Sequence, residues 1–195
     1  MQHKVKLTVI DKKLYPDLQE QYCTDPASGA CPCYHVGDEF LFERYGATDD
    51  FWHMGLNTLK QTAKTADGIA GGASFPHCSE AWDAISRYIY TGLQGGSIMR
   101  GWMKDERVMI ACCSDGTRPV IFKIERLDYK AVYLDRDMNA DCQNRLKDVL
   151  MHLDAVTEVV FREEYIEIYL QSDLNDELLK AVVESCGEYG VQKID

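Results

Sequence analysis

The feature that most limits how this chain can fold is a switch of hydrophobic period that recurs through residues 127–195. Lys130-Ala131-Val132-Tyr133-Leu134 reads as a strand. Asn139 to Leu153 places Leu146, Val149, Leu150 and Leu153 on one helical face. Thr157 to Phe161 and Tyr165 to Leu170 read as strands, the second in strict alternation. Asn175 to Ser185 reads as a helix, with Ser172 or Asp173 capping its start and Gly187 its end. Tyr189 to Ile194 supplies a last strand. A segment with helical period cannot bury its apolar face as a strand, so the order β-α-β-β-α-β follows.

That order is the ferredoxin-like split pattern. The fold class expected is α+β, in two units: a cysteine-bearing α+β front domain over residues 1–126, then a ferredoxin-like domain over 127–195. In the front, Lys4 to Ile10 alternates as a strand and Leu14 to Tyr22 reads as a short helix. Residues 24–37 carry Pro26, Gly29, Pro32 and Gly37 and read as a loop. Glu39 to Glu43 is a second strand. Gly55 to Ala66 reads as helical, broken by Gly68, Gly71 and Gly72. Ser79 is the expected N-cap of a helix over about Glu80 to Leu93, with Trp82, Ile85, Ile89 and Leu93 at helical spacing. Arg107 to Cys113 and Pro119 to Glu125 read as a hairpin around Asp115-Gly116.

Charge narrows the partners. The formal net charge is −11, which repels phosphate backbones and argues against nucleic acid. Residues 1–125 hold 13 Lys and Arg against 16 Asp and Glu, a net of −3. Residues 126–195 hold 8 against 16, a net of −8, so a protein partner of the tail should present a basic face. No apolar run approaches the ~20 residues that span a bilayer. The N-terminal residues lack an apolar signal core, which predicts a cytoplasmic location.

Eight cysteines then demand a role, and six of them, Cys23, Cys31, Cys33, Cys78, Cys112 and Cys113, fall in the front. Reduced thiols in this number point to metal binding or redox chemistry before disulfide staples. Strand neighbours face opposite ways, so of Cys112 and Cys113 only one, Cys113 beside the turn, is expected to face Cys31 and Cys78. His35 and His77 adjoin these cysteines. Three cysteines with a fourth sulfur or a histidine complete a tetrahedral site, for which zinc, iron or copper are the candidates. The expected metal ligands are Cys31, Cys33, Cys78, Cys113 and His77. Three alternatives stay open: buried structural thiols, a metal site, and thiol redox. Arg118 beside Cys113 allows a further reading, an enzyme with a Cys113 nucleophile. The plain reading of Asp115 to Pro119 is a turn with Arg118 pinned by a carboxylate. There is no Gly-x-Ser-x-Gly or His-Glu-x-x-His, and the glycines at 68–72 lack a phosphate-loop lysine.

The tail resembles a heavy-metal-associated domain of the copper-chaperone kind, through Met138-Asn139-Ala140-Asp141-Cys142-Gln143-Asn144-Arg145-Leu146. Such domains hold a soft metal between two thiolates ahead of the first helix. Here Cys142 matches the second cysteine and the first is missing, so the resemblance implies the fold with a vestigial metal position at Cys142. Cys186 reads as a small core residue.

The front resembles a small family of uncharacterised bacterial and archaeal proteins frequent in anaerobes. The shared marks are Cys31-Pro32, Gly37-Asp38-Glu39-Phe40, Cys78 with Ala81-Trp82, and the run Cys113-Ser114-Asp115-Gly116-Thr117-Arg118-Pro119-Val120-Ile121-Phe122-Lys123-Ile124-Glu125. The resemblance implies a fold unit rather than an activity, with residues 46–77 as an insertion. The expectation that results is a cysteine-based metal-binding or thiol-redox protein. The alternatives are an interaction module docked through its acidic tail, and the Cys113 enzyme.

Overall fold

The computed structural model describes residues 1–44, 59–65, 68–70 and 78–195. The chain is α+β with antiparallel strand pairing, and it divides into two compact units. One comprises His3–Arg126, the other Leu127–Asp195 with Met1–Gln2.

In the first unit the elements are β1 (Gln2–Lys12), α1 (Pro16–Tyr22), β2 (Glu39–Arg44), β3 (Leu59–Thr65), β4 (Gly68–Ala70), α2 (Ser79–Leu93), β5 (Val108–Cys112) and the start of β6 (Val120–Leu134). The strands lie in the order β4-β3-β2-β1-β6, with β5 on β6. β1 buries Val5, Leu7 and Val9, every second residue, as a half-covered strand must. Phe40 and Phe42 on β2, and Val120, Phe122 and Ile124 on β6, face the same core. α2 covers it with Ala81, Ile85, Ile89 and Leu93 at helical spacing. Each such large apolar side chain contributes about 1.5–3 kcal/mol when fully buried. The helix comes close enough that a Cβ at Gly92 would meet Val5 Cγ2 at 2.7 Å, so only glycine fits there.

Three local expectations are corrected here. Residues 59–65, read as part of a helix, form β3, paired antiparallel with β2 from Glu39↔Lys64 to Arg44↔Leu59. Pairing with a strand already in the sheet outweighs a weak local helical preference. The N-cap of α2 is Cys78 rather than Ser79, one residue earlier than the cap chemistry suggested. Lys130–Leu134, read as a separate strand, continues the strand from Val120 without a break. His77, one of the expected metal ligands, lies outside the described residues.

The second unit contains the end of β6, α3 (Ala140–Met151), β7 (Val156–Phe161), β8 (Ile166–Leu170), α4 (Asp176–Ser185) and β9 (Val191–Ile194). Its strand order is β9-β6-β8-β7, all antiparallel. Asn139 caps α3 by accepting the Cys142 N–H at 2.8 Å. Asn175, not Ser172 or Asp173, caps α4 by accepting from Glu177 and Leu178. Either cap satisfies orphan donors of a first turn. Leu146 and Leu150 of α3 and Leu179 and Val183 of α4 pack on Val159, Ile166, Ile168 and Leu170. β8 is buried on both faces. Its buried Glu167 accepts from Arg162 at 2.9 Å and from the Tyr169 hydroxyl at 2.8 Å. Among the described residues no helix is long and apolar enough to cross a membrane.

Candidate thiol site

The loop between α1 and β2 carries Cys31 and Cys33, and several main-chain ties hold it. Lys12, at the end of β1, donates from Nζ to the Cys31 carbonyl at 2.6 Å and to the Tyr34 carbonyl at 2.7 Å. Gln19 of α1, itself buried, donates to the Gly29 carbonyl at 3.1 Å. Gly29 and Gly37 turn the chain with φ of 71° and 96°, a region that side chains resist. Past Gly37, the buried Asp38 carboxylate accepts the His35 N–H at 2.8 Å and closes the loop. The loop's anchor is Tyr34. Its ring is fully buried edge-on to Phe122 at 5.3 Å and to Phe40 at 6.1 Å.

Two other segments bring their cysteines to this anchor. Cys78 sits at the N-cap of α2, its carbonyl accepting from Trp82 N at 2.9 Å. Cys113 follows β5. It is buried, and its Sγ accepts the Val120 N–H at 3.3 Å. The turn beyond it is fastened to α2 through Ser114 N to Glu80 O at 3.1 Å. β5 alternation leaves Cys112 exposed.

Cys31 and Cys78 pack against the core that holds Tyr34 and Cys113. Burial, then Cys31, then Cys78 push the Cys33 thiol up from its ordinary value. Cys33 itself is exposed. Clustered thiols resist ionising together, because each thiolate raises the cost of the next. Burial first, and then the thiols of Cys78, Cys33, Cys31 and Cys113, hold the Tyr34 hydroxyl well above the ordinary phenol range. Four thiols thus act on one buried tyrosine. All eight cysteines are free thiols. Among the described residues no three His, Cys, Asp or Glu side chains are set around one point as ligands of a metal ion.

Arg118 is pinned as its turn chemistry suggests. The Asp115 carboxylate accepts the Arg118 Nε–H at 3.0 Å, and also the Thr117 N–H and hydroxyl, each at 2.9 Å. Burial works to raise the Asp115 carboxyl, but these donors prevail and leave it below the ordinary carboxylate range. The thiols whose charge acts on Arg118 are Cys31 and Cys23. His35 is largely exposed, with Nδ1 3.9 Å from Asp38.

In the tail, Cys142 lies in the first turn of α3 and Cys186 is buried at the C-cap of α4. Burial, then Cys186 and Cys142, raise the Tyr189 hydroxyl, which has no hydrogen-bond partner among the described residues.

Comparison with known proteins gives no match to a family model, to a curated protein or to a solved structure.

Proposed function

We propose that the first unit carries a dithiol redox centre, in which Cys33 forms a reversible disulfide with Cys31 or Cys78. The observation that carries this reading is the packing of two free thiols, Cys31 and Cys78, on one core, with the exposed Cys33 raised by both of them. Thiol–disulfide exchange needs two thiols in reach and an opening to solvent. The reaction balances with a disulfide of another molecule as oxidant. The Cys33 thiolate attacks one sulfur, forming a mixed disulfide and releasing the first thiol. Cys31 or Cys78 then attacks the Cys33 sulfur, closes the internal disulfide and releases the second. Two electrons and two protons pass from the protein to the substrate disulfide. Cys113, buried and accepting from Val120, takes no part as the attacking group.

A second reading is a soft or borderline metal held by cysteines; what supports it is that the thiols of Cys78, Cys33, Cys31 and Cys113 all act on Tyr34. Thiolates suit zinc, copper(I) or iron. Elemental analysis of anaerobically purified protein, with a thiol count before and after mild oxidation, separates the two. The redox reading expects no stoichiometric metal and a loss of two thiols on oxidation. Near-stoichiometric zinc, iron or copper that disappears in a Cys31→Ser, Cys78→Ser variant would favour the metal.

For the tail we read a ferredoxin-like domain. Numbered within the unit, the order β9-β6-β8-β7 is 4-1-3-2, which supports the split β-α-β-β-α-β pattern. The heavy-metal-associated likeness rests on the residues from Met138 to Leu146, with one cysteine where two are expected.

A further inference from the structure

The second unit contains a feature that the thiol chemistry does not use. A cleft of about 560 Å³ lies between the β6–α3 connection and the β7–β8 hairpin. Its volume falls within the range of binding pockets. Leu134, Met138, Phe161 and Ile166 give it apolar walls, and Met138 is an adaptable side chain of the kind that recurs at binding surfaces.

The rim is charged, and the charges do not cancel. Two arginines line the cleft, and both are occupied from within the unit. Arg162 donates to the buried Glu167 at 2.9 Å, and Arg136 lies 3.4 Å from Asp135. The Asp135 carboxylate also accepts the Gly190 N–H at 2.8 Å, which fixes it at the mouth. Asp137, Glu163 and Glu164 remain exposed on the rim, without an ion pair among the described residues. The surplus is therefore negative, beside apolar walls. A solvated acidic surface explains the carboxylates but not the walls.

We propose that this cleft binds a basic, amphipathic peptide segment of a partner protein, seating an apolar side chain between Met138 and Phe161 and its Lys or Arg neighbours on Asp137, Glu163 and Glu164. Charge complementarity selects the partner, since a cation gains here what the two engaged arginines do not cancel. The apolar walls supply the contact that salt does not screen. The proposal is independent of the dithiol reading.

The test is fluorescence anisotropy of the full chain with a labelled peptide of alternating Lys and Leu, compared with one of alternating Lys and Ser. The Asp137→Asn, Glu163→Gln, Glu164→Gln variant should weaken Lys-Leu binding about fivefold to tenfold, each exposed charge contributing a fraction of a kcal/mol. A control with the same change of net charge outside the cleft, Asp148→Asn, Glu158→Gln, Glu188→Gln, should bind as the parent does. The Lys-Ser peptide should bind the parent more weakly than Lys-Leu. Equal weakening by both variants would reduce the effect to general acidity and overturn the proposal. So would equal binding of the two peptides, or no binding of Lys-Leu at all. Circular dichroism of both variants excludes unfolding as the cause.

Discussion

Cys31 and Cys78 pack against the same hydrophobic core, although one belongs to an irregular loop and the other caps a helix. The relationship requires two independent placements. The loop is drawn down by Lys12 and Tyr34, and α2 is laid over the sheet by Ile85 and Ile89. A fault in either one separates the sulfurs, so the site reports on the fold that builds it.

Lys12 is the tie most specific to the loop. Its ammonium donates to the carbonyls of both Cys31 and Tyr34. Lys12→Met keeps the stem and removes both bonds, at a cost of about 1–3 kcal/mol. Urea unfolding should show that loss. Internal disulfide formation by Cys33 should slow in the same variant, measured by thiol count against time. Unchanged stability would show that the loop is held by other contacts.

The Asp115 turn gives the first unit an acid-side pH dependence. The folded-state pKa of Asp115 is depressed, so its contribution is present above the ordinary carboxylate range and is lost as pH falls through the depressed value. Asp115→Ala should therefore lower stability at neutral pH and make the curve flatter toward acid. Thermal midpoints of parent and variant should converge at low pH. Parallel curves at every pH would contradict this.

Gly187 tests the tail. A Cβ there would meet the Tyr189 ring at 2.3 Å, and Tyr189 is part of the core. Gly187→Ala should cost about 1–3 kcal/mol, the range for forced overpacking. Calorimetry of the full chain checks it. A neutral result would mean that the ring shifts freely.

What the sequence reveals follows the range of the forces involved. The helices of the tail are written in local period, whereas the cap of α4 is Asn175 and not the expected Ser172 or Asp173. β8 alternates as written, yet Glu167 is buried, where Arg162 and Tyr169, its i+2 neighbour on the same strand face, hydrogen-bond its carboxylate. β3 is hidden for a related reason. Leu59-Lys60-Gln61-Thr62-Ala63-Lys64-Thr65 is weakly patterned, and its pairing with β2 decides its state. In the thiol site, strand alternation at Cys112 and Cys113 can be read locally. The packing of Cys31 and Cys78 on one core depends on where α2 is laid down. Tyr34, the buried ring on which the four thiols act, has no motif of its own and becomes visible only once the core is assembled.

The most direct measurement is oxidation of the reduced full chain with a small-molecule disulfide, followed by thiol counting and peptide mapping. The dithiol account predicts the loss of two thiols in an internal disulfide joining Cys33 to Cys31 or Cys78. It also predicts that Cys33→Ser abolishes the bond, while the exposed Cys112 takes up only a mixed disulfide. A persistent mixed disulfide at Cys33, with Cys31 and Cys78 still free, would contradict it.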